Sequence, residues 1–136
     1  MEFDYIPWET DIATKWLPML PIQLNGFPIG NGLVDTGATV TILPMPLLDL
    51  LGIDLDEKKA LIMNHAGGGT FKAIPGAQKV TYCIDHSGFR AIQWKGTVFF
   101  SAMQDTVLLG HYQCLDQLLL TLDGPMRKLR IDQKAK

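Results

Sequence analysis

Apolar and polar residues alternate over several short stretches of this chain. Leu20, Ile22 and Leu24 are separated by Pro21 and Gln23, and Val80, Tyr82 and Ile84 by Thr81 and Cys83. A period of two puts one set of side chains on one face of a strand, so both stretches are predicted as half-buried strands. The first ends at Asn25-Gly26, the strongest short hairpin signal, and the return strand from Phe27 crosses Gly30 and Gly32 before reaching Asp35. Ala60–Met63 and Phe71–Ile74 read as two strands on either side of His65-Ala66-Gly67-Gly68-Gly69-Thr70. Ala91–Phe100 reads as one further strand with Gly96 as a bulge, and Leu120–Leu122 and Leu129–Ile131 as a last hairpin around Asp123-Gly124-Pro125. Helical spacing is confined to Leu47, Leu48, Leu50 and Leu51, with Pro44 and Pro46 before them and Gly52 as a C-terminal cap.

Many short strands joined by regular turns predict a mostly β, mostly antiparallel barrel with one or two short helices. No internal repeat, low-complexity stretch or linker divides the chain. Residues 1–17 have mixed polarity and no clear period, and read as an extended N-terminal arm packing through Phe3, Tyr5 and Trp8. Residues 18–132 form the domain, and residues 133–136 a frayed C-terminal tail.

Composition narrows this picture. A chain of 136 residues that is 47% hydrophobic can bury about two-thirds of its extended surface as one domain. A net charge of −2 argues against generic binding to nucleic acid or an anionic membrane, and no apolar run reaches the length of a membrane span. Glu2, Asp4, Glu9 and Asp11 make the first residues unlike a signal peptide. Two cysteines are too few for a disulfide scaffold, which points to a reduced, cytoplasmic protein.

The candidate chemistry lies in Leu33-Val34-Asp35-Thr36-Gly37-Ala38-Thr39-Val40-Thr41-Ile42. Two strand-forming runs flank a turn with one carboxylate, one hydroxyl and one glycine, so Asp35 stands at the end of a buried strand. A carboxylate there is costly unless it is hydrogen-bonded or working. Asp-Thr-Gly alone is a common turn. With these flanks it resembles the active-site loop of the retropepsin-like aspartic peptidases. Val107-Leu108-Leu109-Gly110 resembles that family's second marker, a strand passing beneath the loop. The glycine-rich stretch at 65–70 stands where the family carries its flap, the hairpin that covers substrate. The three matches span roughly Leu20 to Leu122 in the right order.

The resemblance implies a closed acid-protease barrel, with the family's short helix within Tyr112–Leu119, and an aspartic endopeptidase. In it Asp35 supplies half of a catalytic dyad, Thr36 hydrogen-bonds across a two-fold axis, and Gly37 admits the substrate backbone. Gly67, Gly68 and Gly69 would give the flap tip its mobility, with His65 and Ala38 beside the substrate. Leu108, Leu109 and Gly110 would support the loop from below. No other aspartate is followed by Ser/Thr-Gly, so the second carboxylate is expected from a second copy of the chain, making a homodimer that acts on polypeptides. A silent peptide-binding or scaffolding domain on the same fold is the alternative.

Two positions depart from the retroviral pattern of an acidic residue paired with an arginine. They hold Thr39 and His111. Ala38 also lacks the hydroxyl that pepsin-type loops place there, so activity is expected to extend toward neutral pH. No metal or other cofactor is expected, because no two of His65, His86, His111, Cys83 and Cys114 stand at a recognised ligand spacing. The triple glycine lacks the Gly-Lys-Ser/Thr of a phosphate loop. The basic residues from Arg127 onward and the three tryptophans read as surface and packing residues.

Overall fold

The computed structural model describes residues 1–132, and the tail assigned to residues 133–136 lies outside the described residues. The chain begins with β1 (Glu2–Asp4), β2 (Ile6–Glu9), β3 (Thr14–Leu17), β4 (Met19–Leu24), β5 (Phe27–Val34) and β6 (Ile42–Pro44), followed by the helix α1 (Leu47–Leu51). It continues through β7 (Leu61–Asn64), β8 (Thr70–Pro75), β9 (Val80–Ile84), β10 (Ile92–Gly96), β11 (Phe99–Ser101), β12 (Leu108–Leu109), β13 (Leu119–Asp123) and β14 (Lys128–Asp132). Short 3-10 turns cover Glu57–Lys59 and Leu115–Gln117.

Local chemistry sets the main turns. Between β4 and β5, Asn25 and Gly26 have φ of 52° and 81°, the pair of positive values a two-residue type I′ hairpin requires. The Asn25 side chain then accepts the Thr81 N–H at 2.9 Å, joining the turn to β9. Gly52 closes α1 in the left-handed region at φ 63°, and its N–H reaches the carbonyls of Leu48 and Asp49.

Leu20, Ile22 and Leu24 of β4 are all buried, in one cluster with Val34, Leu43, Tyr82, Phe100 and Leu109. Trp94 stacks on Tyr82 with ring centroids 5.0 Å apart. Residues 1–17 are largely paired. β1 lies antiparallel to β14, with Arg130 on Glu2 at 2.7 Å and Lys128 on Asp4, and Met1, Phe3 and Tyr5 pack into the core. β2 and β3 pair as a separate hairpin, where the Arg127 guanidinium lies 4.1 Å over Trp16.

Three expectations are corrected. Nine strands form one sheet in the order β10-β9-β4-β5-β12-β6-β11-β8-β7, and the end strands β10 and β7 do not pair, so the sheet is open and no closed barrel forms. Ala91–Phe100 is not one strand. β10 pairs with β9, whereas β11 lies between β6 and β8. The break follows Gly96, where an added Cβ would stand 2.4 Å from the Gln113 carbonyl oxygen, and the Gln113 side chain takes the Thr97 N–H at 2.8 Å. The short helix expected within Tyr112–Leu119 is reduced to the 3-10 turn at Leu115–Gln117.

The core also makes the protein sensitive to alkali. Burial pushes the Cys114 thiol up to about 12 from 9.0, and it raises the Tyr82 phenol well above its ordinary 10.0. Both groups are therefore neutral in the fold at pH values where the unfolded chain ionises. The Cys114 contribution to stability is complete below pH 9 and is lost as pH rises toward 12, while that of Tyr82 is complete below pH 10 and falls above it, each at up to about 1.4 kcal/mol per pH unit. Urea midpoints measured between pH 8 and 11 should fall, and Cys114→Ala should reduce the slope. A midpoint independent of pH in wild type would contradict this.

Candidate active site

Asp35 follows directly on β5, whose last two residues run parallel to β12 with Leu33 opposite Leu108 and Val34 opposite Leu109. The Asp35 N–H donates to the Leu109 carbonyl at 3.1 Å, so the strand ladder continues to the acid itself. Beyond it the chain turns. The Gly37 N–H donates to Asp35 Oδ1 at 2.9 Å and the Ala38 N–H to the Asp35 carbonyl at 3.1 Å. One carboxylate oxygen thus closes an Asx-type turn. Asp35 is half-buried, while Thr36 and Gly37 are exposed. The Thr36 hydroxyl has no hydrogen-bond partner among the described residues.

The loop rests on a close-packed support. Gly110 lies against the Val40 backbone so tightly that a Cβ on it would stand 2.3 Å from the Val40 carbonyl oxygen. Its N–H donates to the buried Thr41 hydroxyl at 3.2 Å. One step earlier, Leu109 fills the space above Gly32, where a Cβ would meet its side chain at 2.8 Å. After Gly110, the N–H groups of His111 and Tyr112 donate to the carbonyls of Ala38 and Thr39 at 3.0 and 2.8 Å. The His111 ring closes the set. Its Nε2 lies 2.6 Å from the Thr36 carbonyl oxygen, which can only accept, so Nε2 carries the proton.

Above the loop stands the β7–β8 hairpin, paired from Leu61–Ala73 to Asn64–Thr70. At its tip the His65 N–H donates to the Gly69 carbonyl at 3.0 Å and the Gly68 N–H to the His65 carbonyl at 3.2 Å. Gly68 and Gly69 have φ of 96° and 77°, which a side chain would oppose. Between loop and hairpin lies an open cleft of about 580 Å³. Its floor is Asp35, Gly37, Ala38, Thr39, Ile42 and Leu108, and its hairpin wall is Met63, Asn64, His65, Ala66 and Phe71. Asp35 is the one carboxylate among these lining residues.

The family model described as “gag-polyprotein putative aspartyl protease” matches residues 20–113. The chain belongs to that family. Among solved structures it is similar to a retropepsin-like aspartic protease from Rickettsia conorii, with 18% identity, a TM-score of 0.58, and 95% of this chain covering 97% of that one. It is also similar to the retroviral protease-like domain of Ddi1 from Leishmania major, with 16% identity, a TM-score of 0.56, and shares of 87% and 90%. At these identities the likeness describes the fold, which is retropepsin-like. No curated protein sequence matches the chain.

Of the residues singled out in the sequence, the cleft brings together Asp35, Gly37, Ala38, His65 and Leu108. Thr36 and the glycines Gly67, Gly68 and Gly69 do not line it, whereas Leu109 and Gly110 lie beneath the loop. The sequence reading missed Met63, Asn64, Phe71, Met103 and Gln104 as lining residues. Met63 and Phe71 are cross-strand partners, a signal that needs the hairpin register. Met103 and Gln104 lie in the loop between β11 and β12, and only the sheet order brings that loop to the cleft. His111 was noted for lacking an ionic partner. Its bond to Thr36 ties the Asp35 loop to the downstream strand in another way.

Proposed function

We propose that this family member is an aspartic endopeptidase that hydrolyses peptide bonds with a water activated between two Asp35 carboxylates, one from each of two copies of the chain. The observation that carries the proposal is the exposed, backbone-fixed loop that offers a single carboxylate to an open cleft of about 580 Å³. Two carboxylates brought together cannot both ionise easily, so one retains a proton. The ionised Asp35 takes a proton from the attacking water while the protonated Asp35 donates to the scissile carbonyl oxygen. The resulting diol collapses as the amide nitrogen gains a proton and leaves.

In this reading the free Thr36 hydroxyl meets the second copy's loop, and Gly37 lets the substrate backbone approach. The β7–β8 hairpin acts as the flap, with Gly67, Gly68 and Gly69 letting its tip move over bound peptide. His111 replaces an ion pair with a hydrogen bond to the loop. The two free, buried cysteines suit the reducing cytoplasm, the compartment we propose.

A shared site makes activity depend on protein concentration. Specific activity on an unstructured protein should fall on dilution, in step with the dimer fraction measured by sedimentation. Full activity in a strictly monomeric sample would exclude the shared site. A dimer that binds peptides without cleaving them would instead favour a peptide-binding domain.

A further inference from the structure

A second cavity, of about 330 Å³, lies at the base of the β7–β8 hairpin. Its walls include Leu61, Phe99, Tyr112, Asp56, Lys59 and Lys79. Three separate links place it beside the cleft at Asp35. Met63 lines the cleft and Leu61 the second cavity, two residues apart on one strand and so on one face. Ile42 and Phe99 line the two spaces as direct partners between β6 and β11. Thr39 lines the first and accepts the N–H of Tyr112, which lines the second. An extended peptide repeats its side chains on one face about every 6.7 Å, the same spacing as Met63 and Leu61. A chain lying over Asp35 along the hairpin would therefore bring one of its outer residues to this cavity.

The chemistry of the cavity differs from that of the cleft. Asp56 is already engaged by Lys59, at 3.9 Å. Lys79 has no ion-pair partner among the described residues, which leaves the cavity with an unbalanced positive charge. The Tyr112 oxygen accepts from Gln113 Nε2 at 3.1 Å, so its own proton remains to be donated. Leu61 and Phe99 supply an apolar wall for the methylene part of a side chain.

We propose that this cavity is an outer substrate subsite that selects a peptide carboxylate, paired with Lys79 and hydrogen-bonded by Tyr112. The proposal rests on the reading of the Asp35 cleft as a peptide site, and deepens it by naming a preferred substrate feature. The carboxylate is either an Asp or Glu side chain or the peptide's own C-terminus.

The test is equilibrium binding by the Asp35→Asn chain, which separates recognition from turnover. Fluorescent decapeptides carry Glu, Gln or Lys at each position in turn, with the C-terminus free or amidated. In one register Glu should bind about tenfold more tightly than Lys, and Lys79→Glu should remove or invert that preference. Lys15→Glu, on the distant β2–β3 hairpin, should leave it unchanged. A preference that appears only with a free C-terminus would assign the subsite to the chain end. Peptide binding that is indifferent to Lys79→Glu would overturn the subsite while leaving the cleft intact. No binding of any peptide would overturn the subsite together with the reading beneath it. Peptides that bind with the Lys79-dependent preference but are not cut by wild type would support the subsite and refute only the peptidase reading.

Discussion

Asp35→Asn should abolish peptide hydrolysis, with a loss of at least about 10³-fold, while the fold and self-association persist. Proton transfer by a positioned carboxylate typically contributes 10²–10⁴-fold, and in the proposed shared site one substitution removes both the acid and the base, one from each copy. The fold is spared for a local reason. Asn keeps an oxygen at Oδ1 to accept the Gly37 N–H, the hydrogen bond that closes the turn. The expected change in stability is within about 1 kcal/mol. Thermal melting and sedimentation, run beside the assay, separate loss of chemistry from loss of structure. Activity within tenfold of wild type would remove Asp35 from the mechanism.

Gly110→Ala should have the largest effect on stability. The added Cβ would stand 2.3, 2.4 and 2.8 Å from the carbonyl oxygen, carbon and nitrogen of Val40. These are backbone atoms of the segment leaving the Asp35 loop, so no side-chain rotation relieves the clash. Overpacking costs typically 1–3 kcal/mol, and a backbone-to-backbone clash belongs at or above the top of that range. For a chain of this size that corresponds to roughly 10 °C or more in Tm. Activity should fall further than stability alone explains, because relief of the clash displaces the strand that holds Asp35. Gly124→Ala is the control. A Cβ there meets nothing within 4 Å, and its effect should stay within about 0.5 kcal/mol. Equal melting temperatures for the two variants would show that the Gly110 contact is not a support.

How much of this was legible in the sequence depended on the range of the interaction. The buried face of β4, the Asn25-Gly26 turn and α1 with its Gly52 cap follow from periods and turn chemistry within a few residues. The loop at Asp35 was legible as a motif because its flanks and its downstream partner strand lie in a fixed order. The division of Ala91–Phe100 into two strands was not legible. It depends on Gly96 and Thr97 meeting Gln113, contacts made only after folding. The open sheet is a similar case, since alternation defines strands but not whether the outermost two meet. The cleft wall at Met103 and Gln104 has no local signature either. His111 shows the limit most clearly, because a missing ion pair could be read from the residue types but its replacement by a ring-to-carbonyl bond could not.

The central claim is that one site is built from two chains, and a mixing titration tests it most directly. Wild-type protein is held at constant concentration, above that needed for association, and Asp35→Asn protein is added after conditions that allow subunits to exchange. If each site needs one Asp35 from each copy and pairing is random, an equal amount of variant should lower total activity to about half, with a continued fall as more is added. Activity that stays constant across the titration, with exchange verified by a labelled subunit, would contradict the shared carboxylate pair.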